Sequence, residues 1–558
     1  MGRVDVSIPK ERFLLCLSFI YLFAFASLYI QLPGLYSEKG VTPVQTLTLN
    51  VPKDASDLMK NLNLLRFAEF LQLDVYMCLE LVTVVGIVLS FLSSFTSAFR
   101  IGPVFLALWL LLVKLSCGFN GKIQHIQSCL SRDILLLESG FIAILLSSFG
   151  TLISLPRVVA SDKIGMWLLR WLLFRLMFSS GVVKLISDCP TWWNLEALHW
   201  HYQSQCIPTP LAWYAHHLPG WFHNLCVAGT FVIEIPMTFL FFMPFRTTRL
   251  ASFYSQVLLQ LAIILTGNYN FFNLLTIALC YSLLKDDDFN SRRRRKWTVS
   301  GSLSFVISWV LIISIFVISA YLFEFSISNN SITSSVGFTK KEFTWFLNTS
   351  VKYSIYFGVA FFFVEVLHSI VVALYARRFW RKLYELVGVI VISFIGLAVL
   401  MSSLMTGVGG RPELILEAAS NLNGPWSEYA FNFKPGRVDG KPPVVIPHQP
   451  RLDWQMWFAA LSSYRNHPWF MNLIYRLLNQ QPEVLQLLDP SGLPNNPKYI
   501  RAHLYTYHFT DSANSKDWWK RTFKSEYLPP VSLSSEMLRS SIQENGLVGK
   551  RVSLKFYN

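Results

Sequence analysis

Glu196 and His199 stand three residues apart, and His201, His216, His217 and His223 follow closely. A carboxylate and an imidazole on one helical face are the parts of a general acid–base pair, and clustered imidazoles are the parts of a zinc site. The run that holds them is CPTWWNLEALHWHYQSQCIPTPLAWYAHHLPGWFH, from Cys189 to His223. It contains five of the eleven histidines and five of the eighteen tryptophans, and no lysine or arginine. The spacings argue against both chemistries. Zinc hydrolases set two histidines four apart with a glutamate between them, and no such triplet occurs here. The chain also lacks cysteine pairs at zinc-finger spacing, a G-x-S-x-G elbow and a phosphate-cradling glycine loop. These residues therefore name no catalytic group, no metal ligand and no cofactor. What they do form is an aromatic surface. Pro190, Pro208, Pro210 and Pro219 cut the run into short helices. Tryptophan and tyrosine favour the lipid headgroup layer and also dominate protein-binding hot spots. Two readings follow: a lid lying flat on a bilayer, or a lid that also receives a client protein. The client residues would be Trp192, Trp193, Trp200, Trp213 and Trp221, with His199 and His201.

The elements that position this lid are membrane helices. The 558 residues are 53% hydrophobic and 15% charged, against about 25% charged in soluble domains. Eleven apolar segments are candidates to span: 13–32, 73–95, 101–116, 133–153, 164–186, 227–245, 250–266, 269–285, 303–323, 353–375 and 383–405. The expected fold class is a polytopic α-helical membrane protein with a C-terminal α+β domain. Its divisions are a signal-anchor helix (1–32), a lumenal loop (33–72), membrane helices (73–186), the lid (187–226), further helices (227–405), and a lumenal domain with its tail (406–558).

A net charge of +15 fits either a nucleic-acid binder or a membrane protein that keeps its basic loops in the cytosol. Position decides between them. With the N-terminus cytosolic, alternation gives the cytosolic segments eighteen basic residues, including Arg292 to Lys296, and the lumenal loops nine. That is the positive-inside asymmetry, and no nucleic-acid partner is expected. The sequons at Asn329 and Asn348 fall in a loop assigned to the lumen, where glycosylation occurs. Cys117, Cys129, Cys189, Cys206 and Cys226 lie in or at the edge of other loops assigned to the lumen. Bridges Cys117–Cys129 and Cys189–Cys206 would each add about 3 kcal/mol; free thiols are the alternative.

Ionisable residues inside spans are costly and draw attention. They include Glu138, Arg170, Arg175, Lys184, Glu234, Glu365 and His368. By depth, Glu138 pairs with Lys184, with Arg175 as the alternative partner. Glu365 and His368 share a helix face and suit an internal hydrogen bond or a proton relay. The polar GNYNFFN (267–273) between two apolar runs reads as a lumenal turn or a lipid headgroup site.

The region 406–558 has no apolar run long enough to span. ELILEAA and WSEYAFNF around Asn423-Gly424-Pro425 read as a β-hairpin. Trp454, Trp457, Phe458 and Leu461 follow a helical period, YIRAHLYTYHF alternates as a strand, and the last thirty residues read as loosely structured.

Several strings carry a resemblance. They are FRLMFSSGVVKLISDCPTWWNLEALHWHYQSQCIPTPLAWYAHHLPGWFH, FVIEIP (231–236), FYSQVLLQ (253–260), ILTGNYNFFNLLT (264–276), GRPELILEAA (410–419), FNFKPG (431–436) and PHQPRLDWQMWFAAL (447–461). Together they resemble the lipase maturation factor family over about residues 130–490, whereas 117–133 departs from it. The resemblance implies a multi-pass endoplasmic reticulum membrane protein. Its partners would be membrane lipid and secreted client proteins of the lipoprotein-lipase type, and it would have no settled catalytic residues. The family is also distantly similar to membrane carboxylases of the vitamin K type. That implies a rival, an intramembrane enzyme acting on lipid or peptide through Lys184, Glu138, His199 or His201.

Overall fold

A computed structural model of the chain describes residues 6–44, 68, 70–117, 127–147, 161–186, 189–289, 299–328, 331–374, 411–494, 496–510 and 516–544. In chain order its helices begin with α1 (Ser7–Tyr36), α2 (Val75–Phe95), α3 (Gly102–Cys117), α4 (Gln127–Leu146) and α5 (Asp162–Ile186). The lid supplies α6 (Pro190–Trp193), α7 (Ala197–Ser204) and α8 (Pro210–His216). Then come α9 (Gly220–Glu234), α10 (Pro236–Phe239), α11 (Arg246–Thr266), α12 (Phe272–Cys280), α13 (Asp286–Phe289) and α14 (Val299–Leu322). A small hairpin, β1 (Ser326–Ser328) and β2 (Ser331–Thr333), precedes α15 (Lys340–Leu374).

Among the described residues seven helices are long and apolar enough to cross a membrane: α1, α2, α5, Gly220–Phe242, α11, Ser302–Leu322 and α15. Shorter apolar helices at Gly102–Val113, Leu135–Leu146 and Phe272–Leu283 fill three more of the expected segments. By length, then, seven of the eleven expected segments qualify among the described residues. At 1.5 Å per residue α3 and Phe272–Leu283 fall short of the roughly 30 Å of a hydrocarbon core, whereas α4 as a whole runs for 20 residues. The eleventh segment, 383–405, lies outside the described residues.

The first helix is central because it is apolar all round. Phe13, Leu17, Tyr21, Phe25, Leu28 and Leu32 are all buried. Its neighbour α2 turns Cys78, Val82, Gly86, Ser90 and Ser93 inward. Small residues let helices approach closely in lipid, and a Cβ on Gly86 would stand 2.7 Å from the Phe25 ring. The sixth expected span starts at Gly220, earlier than the sequence suggests, and breaks at Pro236, which cannot donate to the turn above it. Side chains satisfy the carbonyls at the break. Gln256 Nε2 donates to Ile233 O at 2.8 Å, and Thr238 Oγ1 donates to Ile235 O at 2.6 Å.

The two ends of the bundle differ in chemistry. At one end Lys10 and Asp162 form a buried pair at 2.9 Å, Ile8 N donates to Asp286 Oδ1 at 2.7 Å, and Arg246 meets Asp288 at 2.5 Å. The other end carries the lid, the turn after α11 and the C-terminal domain.

That domain contains β3 (Arg411–Ala419), β4 (Ser427–Glu428), α16 (Arg451–Ala459), α17 (Pro468–Leu478), α18 (Pro482–Leu485), β5 (Tyr499–Phe509), β6 (Trp519–Val531) and α19 (Glu536–Glu544). The sheet order is β4-β3-β5-β6, antiparallel throughout. The expected hairpin is present, with Glu417 opposite Glu428, but its second arm is only two residues long. The closing region departs from expectation. Within the last thirty residues, read as loosely structured, 536–544 form a helix, and just before them 519–531 form a full strand that the sequence pattern does not mark. Three register shifts break the β6 pairing, and residues 522–526 are exposed on both faces, so no alternating pattern marks the strand.

The domain is fastened to α1. Gln31 Nε2 donates to Gln449 O at 2.7 Å, Arg451 N donates to Gln31 Oε1 at 2.7 Å, and Gln449 N donates to Ser27 Oγ at 2.8 Å. Beyond the helix, Asn472 Nδ2 donates to Val41 O at 2.7 Å and Arg476 Nη2 to Glu38 O at 3.0 Å. Asn472 is fully buried. Asn472→Ala strands the Val41 carbonyl and costs about 1–3 kcal/mol. The expected readout is a lower thermal midpoint of the purified protein, with protease first entering near residue 40.

Candidate functional site

The lid is built locally by proline and capping. Pro190 and Pro210 occupy first-turn positions, where a missing N–H costs nothing. The Thr209 hydroxyl accepts from Ala212 N at 3.3 Å. Its aromatic residues then divide. Trp192 packs edge-on against Phe231 at 5.8 Å with the Lys184 ammonium 5.5 Å from its ring. Trp193 donates to Leu185 O at 3.0 Å and meets Phe338 at 5.7 Å. Trp213 is buried against the C-terminal domain, donating to Thr510 Oγ1 at 3.1 Å with Trp518 at 4.8 Å. These three hold the fold together. Trp200 and Trp221 remain exposed, at 42% and 38%.

The histidines have separate partners. The His199 ring meets His223 edge-on at 4.7 Å, and its Nε2 lies 3.3 Å from the Asn224 amide. His201 Nε2 lies 3.3 Å from Tyr269 Oη. Burial, and then the Lys184 charge, push the His201 pKa down to about 4, so the ring is neutral near pH 7. His217 sits between the carbonyl oxygens of Trp213 and Thr510, 2.7 Å from each. Among the described residues no three His, Cys, Asp or Glu side chains could hold a metal.

The charges inside the bundle pair differently from the expected Glu138–Lys184 couple. Glu138 is bound by Arg175, the alternative partner. Lys184 Nζ instead donates to Glu234 Oε2 at 2.5 Å, to Ser180 Oγ at 2.9 Å and to Ser180 O at 3.1 Å. Depth alone misleads here because α9 enters from the lid and brings Glu234 down to the level of Lys184. Arg170 donates to Ser282 O at 2.7 Å. Glu365 is half-buried and His368 exposed, and the two form no hydrogen bond with each other. Cys189 and Cys206 are buried thiols, not a bridge, and Cys189 Sγ lies 2.9 Å from Thr191 Oγ1. The Cys117 and Cys129 side chains and Asn329 lie outside the described residues. Asn348 is exposed, within α15 rather than in a loop.

The strongest polar centre is one that spacing alone did not single out. Arg411, Glu413 and Lys434 are all buried. Arg411 Nε and Nη2 donate to Glu413 Oε2 at 3.0 and 2.6 Å, and Lys434 Nζ donates to Glu413 Oε1 at 2.8 Å. The remaining donors reach into the lid and the sheet. Arg411 bonds the carbonyls of Gln205 and Cys206, the latter at 2.8 Å, and Lys434 bonds Leu414 O at 2.8 Å. The excess positive charge is thus spread over peptide oxygens. The signal was available: R-P-E at positions i and i+2 of a strand puts both side chains on one face.

The same lid turn is stitched to the membrane hairpin. Gln205 Nε2 donates to Thr266 O at 2.6 Å, Thr209 Oγ1 to Leu265 O at 2.5 Å, and Asn268 N to Ile207 O at 3.0 Å. The Asn268 amide completes the join, donating to Pro443 O and accepting from Val445 N, both at 2.8 Å. GNYNFFN is therefore a turn wedged between lid and domain. Asp453 caps the loop beside it, accepting from Phe433 N at 3.0 Å and Lys434 N at 2.8 Å. Burial pushes its pKa up to about 6 against those hydrogen bonds.

Comparison with known proteins gives a consistent result. Residues 8–291 match the lipase maturation factor transmembrane domain and residues 400–529 the lipase maturation factor C-terminal domain. The chain is 39% identical to lipase maturation factor 2 of Xenopus laevis, over 97% of this chain and 85% of the relative. Against the Homo sapiens lipase maturation factor 2 the identity is 36%, with the same coverage. Against Homo sapiens lipase maturation factor 1 it is 26%, over 95% of this chain and 88% of that one. No solved structure matches the chain.

Two outcomes test this geometry. Glu413→Gln leaves two buried cations without a counter-charge and costs about 3–5 kcal/mol, read as lost steady-state protein and a protease-sensitive 411–531 region. Asp453 predicts a pH effect. A carboxyl whose folded pKa is raised binds its proton more readily when folded, so its contribution grows as pH falls from about 6 toward the ordinary 3.8. Asp453→Asn removes that window, seen as a flatter profile of thermal midpoint against pH over the same interval.

Proposed function

The chain belongs to the lipase maturation factor family, and from that premise we propose that it assists lipases to fold, assemble and leave the endoplasmic reticulum, without itself catalysing a reaction. The relatives' names supply the client class. The proposed topology has a cytosolic N-terminus, with the lid and the C-terminal domain in the lumen. It is supported by the two unlike ends of the bundle: the Lys10, Arg100 and Arg246 end opposes the end that carries lid and domain.

The observation that carries the reading is the Arg411–Glu413–Lys434 centre, which fixes lid and domain to each other. A rigid lumenal platform suits a holder of folding intermediates. Its proposed client face is the open side of the sheet. There the Arg501 guanidinium lies 4.1 Å from the Trp426 ring and that of Arg521 lies 5.0 Å from Tyr505, while Phe523 is 54% exposed. Tryptophan, tyrosine and arginine are the residues that concentrate binding energy. The carboxylase-like alternative draws less support. All three Lys184 N–H groups are engaged, Glu138 is held by Arg175, and His201 is neutral and hydrogen-bonded.

Restoring lipase secretion in cells that lack the protein tests the choice. A variant carrying Trp426→Ala and Phe523→Asp is expected to accumulate normally and fail to restore secretion, whereas His201→Gln restores it. Loss of secretion with His201→Gln at normal abundance, and none with the sheet-face variant, would favour catalysis instead.

A further inference from the structure

The outer side of the lid is apolar where its inner side is already occupied. Helix α8 buries Ala212 and Trp213 in a cluster with Tyr507, Phe509 and Trp519 of the C-terminal sheet. On the opposite side Leu211, Tyr214, Leu218 and Trp221 are exposed at 49%, 56%, 43% and 38%. Leu211 and Tyr214 share one face of α8, Leu218 lies in the turn after it and Trp221 at the start of α9, so the exposed apolar residues run along the outer side of the lid.

A second stripe runs up α11, where Tyr254, Leu258, Leu261 and Leu265 are exposed at 64%, 65%, 46% and 54%. Helix α11 is one of the seven long enough to span, so this outward stripe faces acyl chains. The two stripes meet where Thr209 Oγ1 donates to Leu265 O, and from Trp221 the chain runs directly into the next span. The apolar surface is thus continuous from the bilayer core onto the lid. Its upper border changes as a headgroup layer demands. Tyr214 meets Trp518 at 6.1 Å, and the Lys441 ammonium lies 5.9 Å from that ring.

From this continuity we propose that the Leu211–Trp221 face of the lid is seated in the headgroup layer of the bilayer, and that its partner is lipid rather than client protein. Helix α8 then lies as a wedge between sheet and membrane, one face in each. The consequence is geometric: the C-terminal sheet stands beside the membrane surface at a fixed height. This assignment is independent of the client, because it concerns the side of the lid turned away from the sheet.

Photocrosslinking of the full-length chain in microsomes tests it. p-Benzoylphenylalanine is placed singly at Tyr214 and Leu218, at Leu258 as a lipid-facing reference, and at Phe523 as a reference away from lipid. The probe is phospholipid carrying a radiolabelled acyl chain. Adducts with lipid at Tyr214 and Leu218 comparable to those at Leu258, and their loss at Phe523, are the expected result. Each variant is compared only at wild-type protease resistance, so a misfolded chain is not scored. Protein-sized adducts at Tyr214 and Leu218 in place of lipid, or no lipid adduct at either, overturn the assignment.

Discussion

A guanidinium withdrawn from water must find both a counter-charge and acceptors for its donors. Arg411 finds them on two different parts of the chain: the carboxylate of Glu413 on its own strand, and the carbonyls of Gln205 and Cys206 at the end of the lid helix α7. That division makes the ion pair a fastener. The lid turn it holds is the one clamped to the membrane hairpin by Gln205, Thr209 and Asn268. Bundle, lid and domain therefore meet at a buried junction walled by Ile207, Val445 and Trp454. Water entering there would expose two cations and one anion that are otherwise sealed.

This arrangement changes what the tryptophans and histidines of the lid are for. Trp192 and Trp193 hold the lid to the bundle, through Phe231 on one side and Phe338 on the other. Trp213 and His217 hold it to Thr510. Three of the lid's five tryptophans are thus taken up in holding it to the bundle and the domain. The proposed client face therefore lies on the sheet, where aromatic rings and guanidinium groups lie partly in the open.

Much of this was legible in the chain, and the boundary is instructive. Helices were readable because lipid demands long apolar runs, whatever packs beside them. Ion-pair partners were legible only in part, since Arg175 stood as the alternative partner of Glu138 but Glu234 was not matched to Lys184. Which side of α5 meets α9 depends on helix rotation and on the break before Pro236, so Lys184 took Glu234 and left Glu138 to Arg175. The hairpin around Gly424 announced itself through turn residues, whereas β6 stayed hidden because its middle is exposed on both faces. The lid was visible as a composition. Its division into inner and outer faces was not, since that is decided by β5 and β6, far away in sequence. Arg411 and Glu413 lay in plain view on one strand face, but their partners in the lid are about two hundred residues away.

Hydrogen exchange measures the central claim most directly, because an amide of the domain is bonded across the junction: Phe509 N donates to Gln203 Oε1 of the lid. If the buried arginine locks them into one unit, lid peptides spanning 197–217 and strand peptides spanning 411–419 and 499–509 open with a common free energy. A lid that exchanges freely while β3 stays protected would contradict the account.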